Sequence, residues 1–127
     1  MFRILDADDD PVQLNLRKTV LEDAGHEVVS VLTTRQTARE VERGTIHLVI
    51  MDLRFPDQEG KPDCREGLRL IRRIRELDGK VPILVLSGWP EDLDGQPEER
   101  MISRVMMKPV KTSALLKAAG ELLADGA

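Results

Sequence analysis

"FRILDADDDPVQLNLRKTVLEDAGHEVVSVL", residues 2–32, passes from a short apolar run through a helical pattern to a β-branched run. The run at 2–5 is too short for a helix and leads into an acidic cluster, so it reads as a strand. Pro11 suits the first turn of a helix, where its missing N–H costs nothing, and Gly25 suits the C-terminal cap. Between them Val12, Leu14, Leu16, Val20 and Leu21 make an apolar side and leave a mostly polar opposite face. "EVVSVL" at 27–32 is the second strand. Two strands joined through a helix form a parallel crossover, which is right-handed.

The alternation continues with "HLVIM" at 47–51, "VPILVL" at 81–86 and "RVMM" at 104–107. A second helix follows Thr33 and Thr34 and closes at Gly44. A third, 67–79, carries Leu68, Ile71, Ile74 and Leu77 at helical spacing, with its arginines on a solvated face. A last helix at 112–124 has Thr112 or Ser113 as its cap. Five strands alternating with helices predict a three-layer α/β domain, because a parallel strand needs cover on both faces. Two segments break the pattern. Residues 54–66 read as a long, mobile, solvated loop. At 88–100, Pro90, Gly95 and Pro97 make the fourth helix short, displaced or mobile.

A chain of 127 residues fits one domain, 1–127. A net charge of -4 and a pI near 5.2 supply no basic footprint, so no direct nucleic-acid binding is expected. No apolar run approaches the ~20 residues of a membrane helix and no signal-like segment opens the chain, so a cytoplasmic location without membrane association is expected. The lone Cys64 excludes an internal disulfide and a multi-cysteine metal site. His26 and His47 read as structural, Asp10 as a first-turn acid, and Met106 and Met107 as core residues of a buried strand.

Ligands of such a sheet bind beyond the carboxyl ends of its strands, where strand order reverses. The first strand ends in Asp6, Asp8, Asp9 and Asp10, the third in Asp52, the fourth in Ser87 and the fifth in Lys108. In the order 2-1-3-4-5 the first and third strands are neighbours and their carboxylates converge. Carboxylates without cysteine or paired histidine form a hard oxygen site, suited to Mg2+ or Mn2+. A carboxylate facing a phosphoryl group there can become an aspartyl phosphate.

With "ILDADDDP", "HLVIMDLRFPD", "VPILVLSG" and "VMMKP" in order, the chain resembles the receiver domain of two-component response regulators over essentially its whole length. The resemblance implies a flavodoxin-like (βα)5 sandwich of sheet order 2-1-3-4-5. It implies Asp52 as phosphoacceptor, Asp8 and Asp9 with Asp52 as metal ligands, and the Arg54 backbone carbonyl as a further ligand. Ser87 and Lys108 would contact the phosphoryl group. The implied partners are a sensor histidine kinase or histidine phosphotransfer protein, and a downstream protein docking on the face of the fourth and fifth strands or on the 54–66 loop, with homodimer formation left open. No enzyme activity is expected beyond self-phosphorylation from phosphodonors and autodephosphorylation.

Four features depart from that pattern. Asp6 lies inside a strand that the family keeps apolar, so it needs a partner, an exposed edge or a raised pKa. Val105 stands where the family carries a Tyr or Phe switch, and Val110 replaces a bulky residue after Lys-Pro. The 54–66 loop is roughly seven residues longer than an ordinary connection. Arg54 and Trp89 are large at positions that in the family tune phosphoryl lifetime, and are expected to slow hydrolysis. These departures keep open a phosphorylation-independent adaptor. Asp6-x-Asp8 also imitates the nucleophile motif of haloacid dehalogenase-type phosphohydrolases, a third reading.

Overall fold

The computed structural model describes residues 2–126. In chain order the elements are β1 (Arg3–Ala7), α1 (Pro11–Asp23), β2 (Glu27–Val31), α2 (Thr34–Glu42), β3 (Leu48–Asp52), β4 (Phe55–Pro56), β5 (Pro62–Asp63), α3 (Cys64–Leu77), β6 (Ile83–Ser87), β7 (Arg104–Met107) and α4 (Thr112–Gly126). Two 3-10 turns, Pro90–Leu93 and Pro97–Met101, connect β6 to β7. The main sheet runs β2-β1-β3-β6-β7 with every neighbouring pair parallel, the order expected for a flavodoxin-like α/β sandwich.

Alternation along each strand divides the core between the two faces. Leu5, Val49, Met51, Ile83 and Val85 pack with Val41 of α2 and with Leu68, Ile71 and Ile74 of α3. Their neighbours Ile4, Leu48, Ile50, Leu84 and Leu86 pack with Leu21 of α1 and with Leu115, Ala119 and Leu122 of α4. Each such aliphatic side chain contributes ~1.5–3 kcal/mol on burial, which is why the three-layer arrangement outcompetes a two-layer one. The order also sets β1 beside β3, so that the reversal of strand order falls between Asp8 and Asp52.

Several local expectations are corrected. The buried stripe of α1 is Leu14, Arg17 and Leu21, whereas Val12 and Leu16 are exposed at 63% and 58%. An arginine therefore occupies the centre of a stripe expected to be apolar. The third helix starts at Cys64, three residues earlier than its apolar spacing indicates, because the Asp63 side chain accepts from the Arg65 N–H and caps it. Residues 54–66 are not simply a solvated loop: β4 and β5 pair antiparallel, and Phe55 is 1% exposed in the core.

The segment after β6 is irregular as its prolines require, but it is anchored. Leu93 is buried, and the buried Glu98 accepts from Arg72 of α3 at 3.3 Å. Arg75 is not on a solvated face, since it donates to the carbonyls of Met101 and Val81 at 2.8 and 2.7 Å. β7 is the edge of the sheet with only β6 as neighbour, so it is half covered; Met106 packs inward while Met107 is exposed. The expectation of Met107 as a core residue fails for that reason.

Gly67 marks the closest approach between α3 and the turn that follows β3. A Cβ there would collide with the Leu53 backbone carbonyl, which cannot swing aside as a side chain can. Gly67→Ala is expected to lower the free energy of unfolding by ~1–3 kcal/mol, measured by urea denaturation. An unchanged midpoint would show that the Leu53–Asp52 turn yields freely.

Candidate functional site

The carboxyl ends of β1 and β3 bring four aspartates and two cations into one group. As the chain leaves β1, the Asp8 N–H donates to Val31 O at 3.1 Å, which holds Asp8 against β2. Asp10 caps α1, accepting from the Val12 N–H at 3.0 Å, while its own N–H donates to Asp8 Oδ1 at 3.0 Å. Its place is thus the N-cap, just before the first turn. Asp9, between them, is exposed.

At the end of β3, Asp52 Oδ1 accepts from the N–H groups of Leu53 and Arg54 at 2.7 and 3.3 Å. Lys108, just past β7, donates to Asp52 Oδ2 at 3.1 Å and to Asp8 Oδ2 at 3.2 Å. Its backbone is fixed by a 2.9 Å bond from its N–H to Ser87 O, and the peptide that follows, to Pro109, is cis. Carboxylate oxygens of Asp8, Asp9 and Asp52 lie within 4.8 Å of one another.

The electrostatics follow from this packing. Burial works against ionised Asp8, but the Asp10 N–H, Lys108 and Arg17 outweigh it and bring its carboxyl below the ordinary value. Asp9 is pushed up by partial burial and by the negative charges of Asp8 and Asp52. Burial opposes the charge on Lys108, yet Asp52 and Asp8 together raise its pKa. Three oxygen donors that repel one another, with no thiol or imidazole among them, fit a hard divalent cation.

The partner of Asp6, unidentified in the sequence, is Arg17. Its Nε and Nη2 donate to Asp6 Oδ2 and Oδ1 at 2.8 and 3.0 Å, and the same Nη2 donates to Asp8 Oδ2 at 3.0 Å. Asp6 and Asp8 are sealed from solvent and Arg17 is 8% exposed. Sequence reasoning missed Arg17 because α1 was divided by apolarity alone. The available signal was the spacing Leu14, Arg17, Leu21 combined with a carboxylate inside the adjoining strand. With both oxygens engaged and no solvent access, Asp6 cannot serve as a nucleophile, which removes the phosphohydrolase reading.

Ser87 and Arg54 stand at the margin. Ser87 is fully buried, and its Oγ accepts from the Trp89 N–H at 2.9 Å. Among the described residues its hydroxyl makes no hydrogen bond to Asp8, Asp9, Asp52 or Lys108. The Arg54 side chain turns toward the segment after β6, donating to Asp92 at 2.8 and 3.3 Å and lying 3.8 Å from the centre of the Trp89 ring.

Residues 4–120 match the family described as the response regulator receiver domain. The virulence transcriptional regulatory protein PhoP of Salmonella typhimurium and of Salmonella typhi is 31% identical over 97 residues, covering 74% of this chain. The chain spans about 40% of the length of these curated relatives. A receiver protein from Sinorhizobium medicae is 28% identical with a TM-score of 0.78, covering 99% of this chain and 97% of its own. The response regulator TrrA of Thermotoga maritima, solved with Mg(2+)-BeF, has a TM-score of 0.82 at 22% identity, covering 96% of this chain and 99% of its own, a likeness of fold.

Burial pushes Asp6 up to about 6 from 3.8, against the opposing pull of Arg17. A carboxyl raised on folding stabilises the native state fully below its unfolded pKa, and that contribution is lost as the pH rises through the folded value. The gap between 3.8 and about 6 is worth on the order of 3 kcal/mol. In metal-free protein, the stability of wild type relative to Asp6→Asn is expected to fall by about that much between pH 4 and pH 7. Urea denaturation at each pH measures it; a difference flat with pH would return Asp6 to its ordinary value.

Proposed function

The chain belongs to the response regulator receiver domain family of two-component signalling, and from that membership we propose that Asp52 is its phosphoacceptor. The observation that carries the reading is Lys108, whose ammonium joins Asp52 Oδ2 to Asp8 Oδ2 beside three mutually repelling carboxylates. A phosphoryl group arriving there meets a cation already aimed at the acceptor. The phosphoryl donor is a phosphohistidine of a sensor kinase or phosphotransfer protein.

Asp52 Oδ1 is tied to two backbone N–H groups, which orients the carboxylate and leaves Oδ2, on the Lys108 side, as the attacking oxygen. A new O–P bond forms there as the P–N bond of the donor breaks. The electron pair returns to the imidazole, which takes a proton from water. Lys108, drawn from Asp8 and Asp52 to the incoming oxygens, balances their charge. Asp8, Asp9 and Asp52, with the Arg54 carbonyl, would hold Mg2+ or Mn2+, which when bound supplies neutralisation of the phosphoryl charge. Ser87 accepts from the Trp89 N–H through one lone pair and keeps its own O–H to donate to the phosphoryl group. Later hydrolysis breaks the O–P bond by attack of water and restores the Asp52 carboxylate.

The Arg54–Trp89 stack, fixed by Asp92, supports the role of a cover over the acyl phosphate. The output surface and downstream partner belong to the exposed edge around Val105 and Met107 or to the β4–β5 ribbon. Among the described residues no helix is long and apolar enough to cross a membrane.

Acetyl phosphate with Mg2+ is expected to add one phosphoryl group to the wild type and none to Asp52→Asn, read by intact mass and peptide mapping. The acyl phosphate of Arg54→Ala and of Trp89→Ala is expected to hydrolyse faster than that of wild type. Beryllofluoride with Mg2+ should alter Trp89 fluorescence in wild type only. No phosphoryl uptake and no fluorescence response would leave the adaptor reading in its place.

A further inference from the structure

Asp8 has about four lone-pair positions on its two oxygens, and the protein fills most of them. Oδ2 accepts from Arg17 at 3.0 Å and from Lys108 at 3.2 Å, and Oδ1 accepts from the Asp10 N–H at 3.0 Å. Lys108 is accounted for by its second contact, to Asp52. Among the described residues Arg17 makes hydrogen bonds to Asp6 and Asp8 and none to Asp52 or Asp9. It is instead gripped from behind by both oxygens of a fully buried aspartate. A buried ion pair is a poor source of stability, because desolvation offsets most of the attraction, and two apolar residues would fill the same space at less cost. The pair is thus better explained by what it does to Asp8.

We propose that Arg17, anchored by Asp6, is a positioning residue that occupies Asp8 Oδ2 and thereby weakens the hold of the carboxylate cluster on a divalent cation. The guanidinium fork is planar and rigid, so one nitrogen edge can meet Asp6 while Nη2 reaches on to Asp8. Asp8 is then fixed in one orientation, with Oδ2 carrying two cationic donors and only Oδ1 left with room for a ligand bond. A cation entering the cluster meets a carboxylate whose charge is already spent on Arg17 and Lys108. Asp6 contributes the opposite charge, but Arg17 lies between it and Asp8.

The inference rests on Asp8, Asp9 and Asp52 being the cation-holding set of the proposed phosphorylation site. It is tested by titrating the whole chain with Mg2+ alone and following the amide resonances of Asp8, Asp9, Asp52 and Leu53. The double variant Asp6→Val with Arg17→Met removes both charges and keeps the volume. Its Mg2+ dissociation constant is expected to fall by about tenfold, the scale on which groups behind a ligand tune a metal site. Arg17→Lys keeps a partner for Asp6 but is too compact to reach both carboxylates, and its constant should fall between the two. That single variant carries the test if the double does not fold.

The sign separates the proposal from a merely structural role, because a loosened Asp8 would bind Mg2+ more weakly. A constant equal to or above that of wild type in a folded variant overturns the proposal. If Mg2+ binding tightens as expected while Asp52 takes up no phosphoryl group from acetyl phosphate, the proposal stands and the phosphoacceptor reading falls.

Discussion

Everything at the carboxyl edge of the sheet depends on keeping Asp6, Asp8 and Asp52 from forcing one another apart. Two cations do it, each by bridging a pair: Arg17 joins Asp6 to Asp8, and Lys108 joins Asp8 to Asp52. The charges alternate along one line, so each anion has a cation on at least one side. Asp8 sits at the shared position, buried, and the Asp10 N–H together with Lys108 and Arg17 holds it below its ordinary pKa. Asp9 lies outside the line and is left with the repulsion.

That line can exist only because of the topology. Parallel strands all finish at the same edge, and placing β1 next to β3 puts residues 44 positions apart, Asp8 and Asp52, at one reversal point. Lys108 arrives from the far edge strand, its backbone hydrogen-bonded to Ser87 at the end of β6. The aliphatic layers on either face give these strands no freedom to shift. A polar site of this kind therefore draws its precision from the apolar core in which Asp6 and Arg17 are set.

Much of this was readable in the residues, for a physical reason. Each side chain of the candidate site follows a short apolar run, so the alternation that reveals a strand also reveals what stands at its end. Asp8, Asp9, Asp52 and Lys108 converge as that reasoning requires. Arg17 was not readable in this way, because its burial is decided by a partner on β1 and not by its own helix. The ribbon at 54–66 was hidden by composition, since one phenylalanine among prolines and charges is enough to pin it. Arg54 carried no signal of its contact with Asp92, 38 residues away.

The irregular segment after β6 is tied to the site through Ser87 and Arg54, in contacts that do not include Val105. Ser87 is the junction: its carbonyl accepts from Lys108, and its hydroxyl accepts from the Trp89 N–H. Trp89 in turn stacks on Arg54, and Arg54 holds Asp92 within the first 3-10 turn. Arg54 also donates its backbone N–H to Asp52, so the chain of contacts closes on Asp52 itself. A buried aromatic that swings between two positions needs a cavity at each. A cation stacked on an exposed indole needs neither. Val105 supplies no ring on β7, whereas the Trp89 ring lies on Arg54, whose own backbone N–H reaches Asp52.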